Sequence, residues 1–275
     1  FRFPLGAEPT GLDPQTATDT AAVTVIASIF EGLTRLDAAG NPVDAAATHT
    51  LSEDSKTYTF TLRESYWSTR KIKGQESPWD SPTPVTANDV KRTFDIGVEI
   101  GNGTGTGNKA YISEIVADGN TVTIKAALGE DGKAVNPLKL LDFLTGTPIA
   151  QAAWIDTLVA RCGGDATAIL NDAGEDVVWS GPYTKYYADD QKVVLIRDDN
   201  YWGQDASMWG KLPVPKYIAH TIYADNPAGE TALKAGEVDV CQQFIGNIQN
   251  LWLEDGLPIS TFYEEAPYGV CLTMP

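Results

Sequence analysis

Length and composition indicate a globular protein. The chain has 275 residues, enough for one large or two medium domains. Asp and Glu number 37 against 20 Lys and Arg, so the net charge is −17. This balance argues against binding to the phosphates of nucleic acid, which needs clustered cations, and gives no support for attraction to anionic lipid. The sequence contains no run of about 18 apolar residues, the length that spans a bilayer.

The first predicted element is an amphipathic helix that is capped by Asp19 or Thr20. Apolar residues recur there at three- and four-residue spacing, which places them on one face of a helix. The helix is predicted to end near the turn residues Asp37–Pro42. Its apolar positions are Val23, Ile26, Ile29, Phe30, Leu33 and Leu36.

A strand with one buried face is predicted over Thr57–Arg63, because Tyr58, Phe60 and Leu62 alternate with polar residues. The stretch Ser68–Pro84 that follows is polar and irregular, and it reads as a surface loop. Further strands are predicted at Thr121–Lys125, Lys192–Arg197, Tyr217–Tyr223, Gly236–Val240 and Thr261–Tyr263.

A second helix is predicted to start at Thr86, which can cap it, with Asp89 favouring its amino-terminal end. The stretch Gly101–Gly107 then interrupts the pattern and predicts a mobile surface loop. Strand, helix and strand follow closely over residues 217–240, which indicates a βαβ unit and an α/β domain with some parallel pairing. The apolar face of the second helix is Val90, Phe94 and Val98, and further helices are predicted at Pro137–Leu144, Ala150–Val159 and Pro227–Ala235.

The sequence contains no recognisable reaction centre. His49 and His220 are the two histidines, and His220 lies within an apolar strand, where a core histidine with satisfied hydrogen bonds is favoured over a catalytic one. Gly101–Gly107 fits neither the P-loop pattern nor GxGxxG, and Val178 stands where a GxSxG motif needs its first glycine. The three cysteines form no CxxC. We therefore expect no catalytic residues, metal site or cofactor.

Seven short segments, in a fixed order from residue 6 to residue 239, carry a family resemblance. Together they resemble the extracellular solute-binding proteins of family 5, which are the oligopeptide- and dipeptide-binding components of bacterial ABC importers. Each segment also has a structural explanation as a turn, a cap or a buried strand, so the segments identify a scaffold without identifying a ligand. They are Gly6–Pro14, Ile29–Asp37, Ser52–Arg63, Trp67 with Pro84–Val90, Ser180–Tyr183, Leu195–Gly203 and Leu233–Asp239.

The resemblance implies an α/β fold of the class II periplasmic-binding-protein type. It implies one lobe with an inserted α+β subdomain, and a second lobe that this sequence lacks. By this resemblance residues 1–20 and 155–270 form the discontinuous core of lobe one, residues 21–154 form the inserted subdomain, and residues 271–275 begin the hinge into the missing lobe.

The same resemblance implies the function of a substrate-binding component. Such a protein captures oligopeptides or similar small solutes by lobe closure and delivers them to the permease subunits of an ABC importer. It acts outside the cytoplasm, in the periplasm or at the outer face of the cytoplasmic membrane. Its contact with the membrane would be an N-terminal lipid anchor outside this sequence. Two alternatives remain open: a non-peptide solute such as an oligosaccharide, a nickel complex or haem, and an interaction module that captures no solute.

The resemblance also implies ligand contacts in three places. The first is the opening segment, the second is a tyrosine after the glycine-rich stretch, and the third follows the predicted Gly236–Val240 strand. A surface or packing role is the alternative for each of them. The predicted contact residues are Glu8, Pro9, Thr10, Tyr111, Gln242, Gln243 and Phe244.

Overall fold

The computed structural model describes residues 1–37, 39–68, 83–174 and 176–241, and within these ranges no helix is long and apolar enough to cross a membrane. The strands are β1 (Arg2–Leu5), β2 (Thr34–Leu36), β3 (Pro42–Asp44), β4 (Ala47–Leu51), β5 (Thr57–Leu62), β6 (Tyr66–Trp67), β7 (Thr83–Pro84), β8 (Ile112–Asp118), β9 (Thr121–Ala126), β10 (Tyr183–Ala188), β11 (Lys192–Arg197) and β12 (Tyr217–Ile222). The helices are α1 (Thr20–Ile29), α2 (Ala87–Ile100), α3 (Gly103–Tyr111), α4 (Pro137–Gly146), α5 (Ala152–Arg161), α6 (Ala166–Leu170) and α7 (Asn226–Lys234).

One four-stranded sheet has the order β1-β12-β11-β10. Residues Arg2–Leu5 pair in parallel with residues 219–222 of β12, while the other neighbours are antiparallel. The predicted α/β class with some parallel pairing is therefore confirmed, but the parallel partner of β12 is the first strand of the chain. This sheet shares an apolar core with α1 and α5, to which Val25, Trp154 and Leu195 contribute.

A second four-stranded sheet is antiparallel and has the order β4-β5-β9-β8. The strand predicted at Thr57–Arg63 is confirmed as β5, with Tyr58, Phe60 and Leu62 buried. Its buried face joins residues of α2, α3 and α4 in a second core cluster. The strands predicted at 121–125, 192–197 and 217–223 are also present, as β9, β11 and β12.

The predicted domain division stays a prediction. Side chains from both predicted domains pack in one core. The core of the first sheet contains Leu5 and Leu195 from the predicted lobe core together with Ile26 and Trp154 from residues 21–154. The second core cluster runs from Leu33 to Val178. Side chains on both sides of the predicted boundaries after residues 20 and 154 therefore share the first core, whereas the boundary after residue 270 lies outside the described residues.

Helix α1 is shorter than predicted, and the expectation that it continues to Leu36 is wrong. Asp19 caps it as expected, but it ends at Ile29, and the next residues continue into β2. Tertiary contacts explain the ending: the amide of Gly181 donates to the Ile29 carbonyl at 3.0 Å, and the amide of Glu31 donates to Ser180 Oγ at 3.1 Å. These bonds take backbone groups that a longer helix would use.

Helix α2 confirms its predicted cap. Thr86 Oγ1 accepts from the amide of Asp89, and the Asp89 carboxylate accepts from the amide of Thr86, which forms a capping box. The apolar face is broader than predicted. Val90 and Phe94 are buried as expected, Val98 is only partly buried, and the buried face includes Ile96 and Ile100.

The mobile loop predicted at Gly101–Gly107 is wrong, because α3 begins at Gly103. Gly101 has a φ of 70° and ends α2 in the left-handed conformation that glycine adopts without strain. At Gly107 a β-carbon would lie 2.6 Å from the ring of Phe143, so the missing side chain permits close packing of α3 on α4. Gly101 therefore forms the turn after α2, and Gly107 allows the contact between α3 and α4.

The strand predicted at Gly236–Val240 is also wrong, because these residues form turns and bends after α7. Side-chain hydrogen bonds and isolated backbone hydrogen bonds hold the chain there, in place of the regular pairing of β-strands. Arg2 Nη2 lies 2.6 Å from Asp239 Oδ1, and the amide of Asp239 donates to the Arg2 carbonyl at 3.0 Å. The strand predicted at Thr261–Tyr263 and most of the loop predicted at Ser68–Pro84 lie outside the described residues.

The Ser180–Tyr183 motif is explained by a close backbone approach. Gly181 lies against the last turn of α1, where an added β-carbon would be 2.6 Å from the carbonyl carbon of Ile29 and 2.8 Å from the Phe30 nitrogen. Backbone atoms cannot move aside as a flexible side chain can. The motif therefore requires glycine for packing.

We expect Gly181→Ala to lower the free energy of unfolding by about 1–3 kcal/mol, because the new methyl group forces the 180–183 segment away from α1. Chemical denaturation of the two proteins measures the difference. Gly146→Ala is the matched control, since a β-carbon there meets nothing within 4 Å. Equal destabilisation by the two substitutions would contradict the packing explanation.

His220 occupies the core of the first sheet. Its side chain is 3% exposed, its ring lies 5.5 Å from that of Phe3, and neither ring nitrogen has a hydrogen-bonding partner within the described residues. Burial lowers the pKa of the imidazole to about 4, because the low-polarity surroundings disfavour the charged form. The predicted core placement is confirmed, but the expected hydrogen bonds of the ring are not found within the described residues. The low pKa keeps the ring neutral near pH 7.

This depressed pKa predicts that His220 destabilises the fold in acid. Between about pH 6.5 and pH 4 the unfolded chain binds a proton at this ring and the folded chain does not, so stability falls as the pH falls. The loss amounts to about 2 kcal/mol near pH 5. Comparison of thermal unfolding near pH 7.5 and near pH 5 should show a smaller acid loss for His220→Leu than for the unsubstituted protein.

Buried acids change the stability in the opposite direction over the same pH range. Burial raises the pKa of Asp13 to about 7, so the folded chain retains that proton as the pH rises. Asp13 is unchanged in His220→Leu, so the comparison isolates the histidine. The same acid loss in both proteins would show that His220 is not neutral and buried as described.

Candidate functional site

The parallel pair β1 and β12 defines one edge of the first sheet. Because the strands run in the same direction, their carboxyl ends, Leu5 and Ile222, lie side by side. Ligands of open α/β sheets commonly bind outside the carboxyl ends of parallel strands, where loops and helix starts converge. This edge is therefore the place where the fold favours a ligand.

Two helices begin at this edge, and an aspartate caps each of them. Asp19 Oδ1 accepts from the amide of Ala22 at 2.7 Å, and Asp225 Oδ1 accepts from the amide of Ala228 at 2.9 Å. A helix start with free amides attracts anions. Here a carboxylate already binds each helix start, so these ends do not favour an anionic ligand.

A hollow of about 540 Å³ lies at these strand ends, and we call it the strand-end hollow. It lies between the end of β1, the first turn of α1 and the start of α7. Among the described residues, Asp19 is the one ionisable group in its lining, so the hollow favours a neutral or cationic group. Its lining includes Leu5, Gly6, Ala7, Asp19, Thr24 and Asn226.

The predicted contacts Glu8, Pro9 and Thr10 lie in the segment that leaves this hollow after Ala7. Thr10 donates to Asp19 Oδ2 from its amide at 3.2 Å and from Oγ1 at 2.5 Å, while Glu8 is exposed. Burial opposes ionisation of Asp19, but these bonds and the helix amide outweigh it and hold the pKa of the carboxyl below its usual value. The opening segment is thus fixed to α1 by one carboxylate.

A second hollow of about 540 Å³ lies on the other side of α1, and we call it the helix-side hollow. It extends from the segment before α1 to the end of α4. Its apolar wall comes from α1, whose Val23 is 53% exposed. Its lining includes Gln15, Val23, Ile26, Phe30, Arg35 and Thr145.

A buried carboxylate supports the floor of the helix-side hollow. Glu31 is 3% exposed and accepts a hydrogen bond from the Tyr201 hydroxyl, which in turn accepts from Trp209 Nε1 at 3.2 Å. Arg35 Nη1 lies 3.8 Å from Glu31 Oε1 and its guanidinium lies over the Trp209 ring. Burial raises the pKa of Glu31, opposed by Arg35 and the Tyr201 bond. This network fixes the chain after α1 against residues 201–209.

A third hollow, of about 300 Å³, is lined by Trp67, Asp198, Tyr201 and Trp202 among others. It adjoins the carboxyl end of β11, which runs antiparallel to β12. It therefore lies at the opposite end of the strands from the strand-end hollow. The two hollows that flank α1 together form the candidate site.

The remaining predicted contacts do not join the two hollows in the described structure. Tyr111 is partly buried and packs against the second core cluster, at the end of α3. Gln242, Gln243 and Phe244 lie outside the described residues. Their roles stay predictions.

Sequence reasoning missed several residues that line the hollows, among them Gln15, Val23 and Asn226. A usable signal existed for one of them, because Asn226 follows a strand and starts a helix. Gln15 and Val23 gave no such signal, since their environment depends on the position of α4. Among the described residues no group of three or more His, Cys, Asp or Glu side chains is arranged to hold a metal ion.

We expect Asp19→Ala to lower the free energy of unfolding by about 1–2 kcal/mol, because it removes the α1 cap and both bonds to Thr10. Thr10→Val removes one of those bonds and should have a smaller effect. Chemical denaturation measures both, and limited proteolysis should show faster cleavage near residues 8–10 in Asp19→Ala. If Thr10→Val destabilises as much as Asp19→Ala, the carboxylate does not have this double role.

The sequence matches known proteins over most of its length. A family model described as bacterial extracellular solute-binding proteins, family 5 Middle, matches residues 41–274. The oligopeptide-binding protein OppA of Bacillus subtilis is 27% identical over 256 residues, which cover 88% of this chain and 42% of that protein. The chain therefore spans less than half the length of this relative.

Solved structures share the fold. The ABC transporter-associated periplasmic binding protein DppA of Helicobacter pylori, in complex with the peptide STSA, has a TM-score of 0.69 at 21% identity, over 94% of this chain and 48% of that one. The periplasmic oligopeptide-binding protein of Thermotoga maritima, with bound mannohexaose, has a TM-score of 0.71 at 22% identity, over 98% of this chain and 46% of that one. The chain belongs to the bacterial extracellular solute-binding proteins of family 5.

Proposed function

We propose that the complete protein is the solute-binding component of a bacterial ABC importer and captures oligopeptides or similar small solutes. The observation that carries this proposal is the strand-end hollow at the carboxyl ends of a parallel strand pair, with the helix-side hollow on the other side of α1. Family membership supports the same reading. The names of the relatives OppA and DppA supply the peptide class.

The proposed mechanism is binding without covalent chemistry. In this view the chain forms one wall of a cleft, and a second lobe of the complete protein closes over the solute and excludes water. A membrane permease would then recognise the closed form. The predicted contacts Glu8, Pro9, Thr10, Tyr111 and Gln242–Phe244 would contribute to this wall.

The electrostatics of the strand-end hollow favour a neutral or positively charged group. Asp19 is its one ionisable residue within the described ranges, and both nearby helix starts are already capped by carboxylates. A peptide presents neutral backbone groups and a cationic amino terminus, which suit such a surface. An anionic solute would find no cation in this lining.

Further parts of the proposal follow from the family. We infer that the protein acts outside the cytoplasm, in the periplasm or attached by a lipid to the outer face of the membrane. We also propose that it catalyses no reaction. The division into a lobe core of residues 1–20 and 155–270 and an inserted subdomain of residues 21–154 is part of the same proposal.

An oligosaccharide is the second candidate solute. The Thermotoga maritima protein of the same fold was solved with bound mannohexaose, although its name describes an oligopeptide-binding protein. Sugars stack on exposed aromatic rings, whereas the named linings of the two hollows contribute Phe3 and Phe30 alone as aromatic residues. The peptide reading is therefore preferred.

Native mass spectrometry of the complete gene product, purified without denaturation, tests the proposal. The protein is incubated with a pool of tri- to pentapeptides and, separately, with a pool of manno- and gluco-oligosaccharides. We expect retained peptides at one per protein and dissociation constants in the micromolar range or tighter by calorimetry. Retention of oligosaccharides alone would overturn the peptide class, and retention of neither pool would overturn solute capture.

A further inference from the structure

Gln15 lines the helix-side hollow and carries an unsatisfied side-chain carboxamide. Its side chain is 2% exposed, and neither Nε2 nor Oε1 has a hydrogen-bonding partner within the described residues. A buried carboxamide without partners is unfavourable, because it has lost its bonds to water and gained none. Such a group is expected where another molecule completes its bonds.

The backbone around Gln15 is fixed on both sides. The main-chain amide of Gln15 donates to Asp13 Oδ1 at 2.9 Å, and its main-chain carbonyl accepts from Asn102 Nδ2 at 2.7 Å. These bonds fix the main chain of Gln15, and its burial leaves the side chain little room to turn toward solvent. A donor and an acceptor held in place in this way bind with little loss of side-chain freedom.

The apolar wall of the same hollow comes from α1. Val23 is 53% exposed and Ala27, one turn further along α1, is exposed as well, while the buried Ile26 and Phe30 complete the apolar lining. The charges in the lining, Glu31 and Arg35, pair with each other at 3.8 Å. The hollow therefore combines the unpartnered carboxamide of Gln15 with an apolar surface, and the charges of Glu31 and Arg35 in its lining are paired.

We propose that Gln15 and Val23 form a subsite that binds one uncharged peptide group together with the apolar side chain beside it. The carboxamide has one acceptor and two donors, which match the N–H and C=O of a peptide unit. The side chain of the ligand would cover Val23. This inference rests on the proposed function and locates one of its contacts, at residues that the family resemblance did not single out.

The test uses Gln15→Leu in the complete gene product with the pool of tri- to pentapeptides. Affinity for the peptides that the unsubstituted protein retains, measured by calorimetry, should fall about tenfold, equivalent to about 1.4 kcal/mol. Without peptide, the unfolding midpoint should rise by about 2–4 °C, because an unpartnered buried amide has been removed. Gln151→Leu is the matched control: Gln151 is 3% exposed with an unpartnered Oε1 but does not line the hollow, and its affinity should not change.

Val23→Ser provides an independent test that does not depend on the folding of the first variant. It should reduce the preference for Ala-Leu-Ala-Ala over tetra-alanine about threefold or more, whereas Val214→Ser, at an 89% exposed position outside the hollow, should leave it unchanged. Unchanged affinity in Gln15→Leu together with unchanged preference in Val23→Ser would overturn the subsite and leave the proposed function standing. Failure of the unsubstituted protein to bind any peptide would overturn the proposed function and the subsite with it.

Discussion

The parallel pairing of β1 with β12 is the constraint on which the site depends. It joins Arg2–Leu5 to residues 219–222, from opposite ends of the described chain, and closing so long a loop carries a large entropic penalty. Further contacts secure the join: Arg2 pairs with Asp239, and the amide of Ala219 donates to the Phe1 carbonyl at 2.8 Å. Without this pair, the segment after Leu5 and the start of α7 would not meet.

Helix α1 starts at that edge and separates the two hollows. Its cap, Asp19, also binds Thr10, so one carboxylate fixes both the helix start and the segment that leaves the strand. Its end is fixed by Gly181 and by the buried Glu31, which accepts from Tyr201. The helix is thus held at both ends by residues distant in sequence, and each flank borders a hollow of about 540 Å³.

The family segments identify the scaffold because their residues have structural duties. Gly181 permits a close backbone approach, Glu31 bonds Tyr201 across the core, and Thr86 with Asp89 caps a helix. None of these duties involves a ligand. This explains how a chain with a clear family membership can leave its solute unspecified, since the residues that line the hollows lie mostly between the segments or beside them.

The sequence by itself determined the local structure. Alternating apolar residues specified β5, and the caps of α1 and α2 followed from side chains that bond amides three residues away. The tertiary structure decided the rest. It ended α1 at Ile29, because residues 180 and 181 take its backbone bonds, and it made a helix of the stretch predicted as a loop. It also formed both hollows and left the Gln15 carboxamide without partners among the described residues, because burial and cavity shape depend on neighbours that no local pattern encodes.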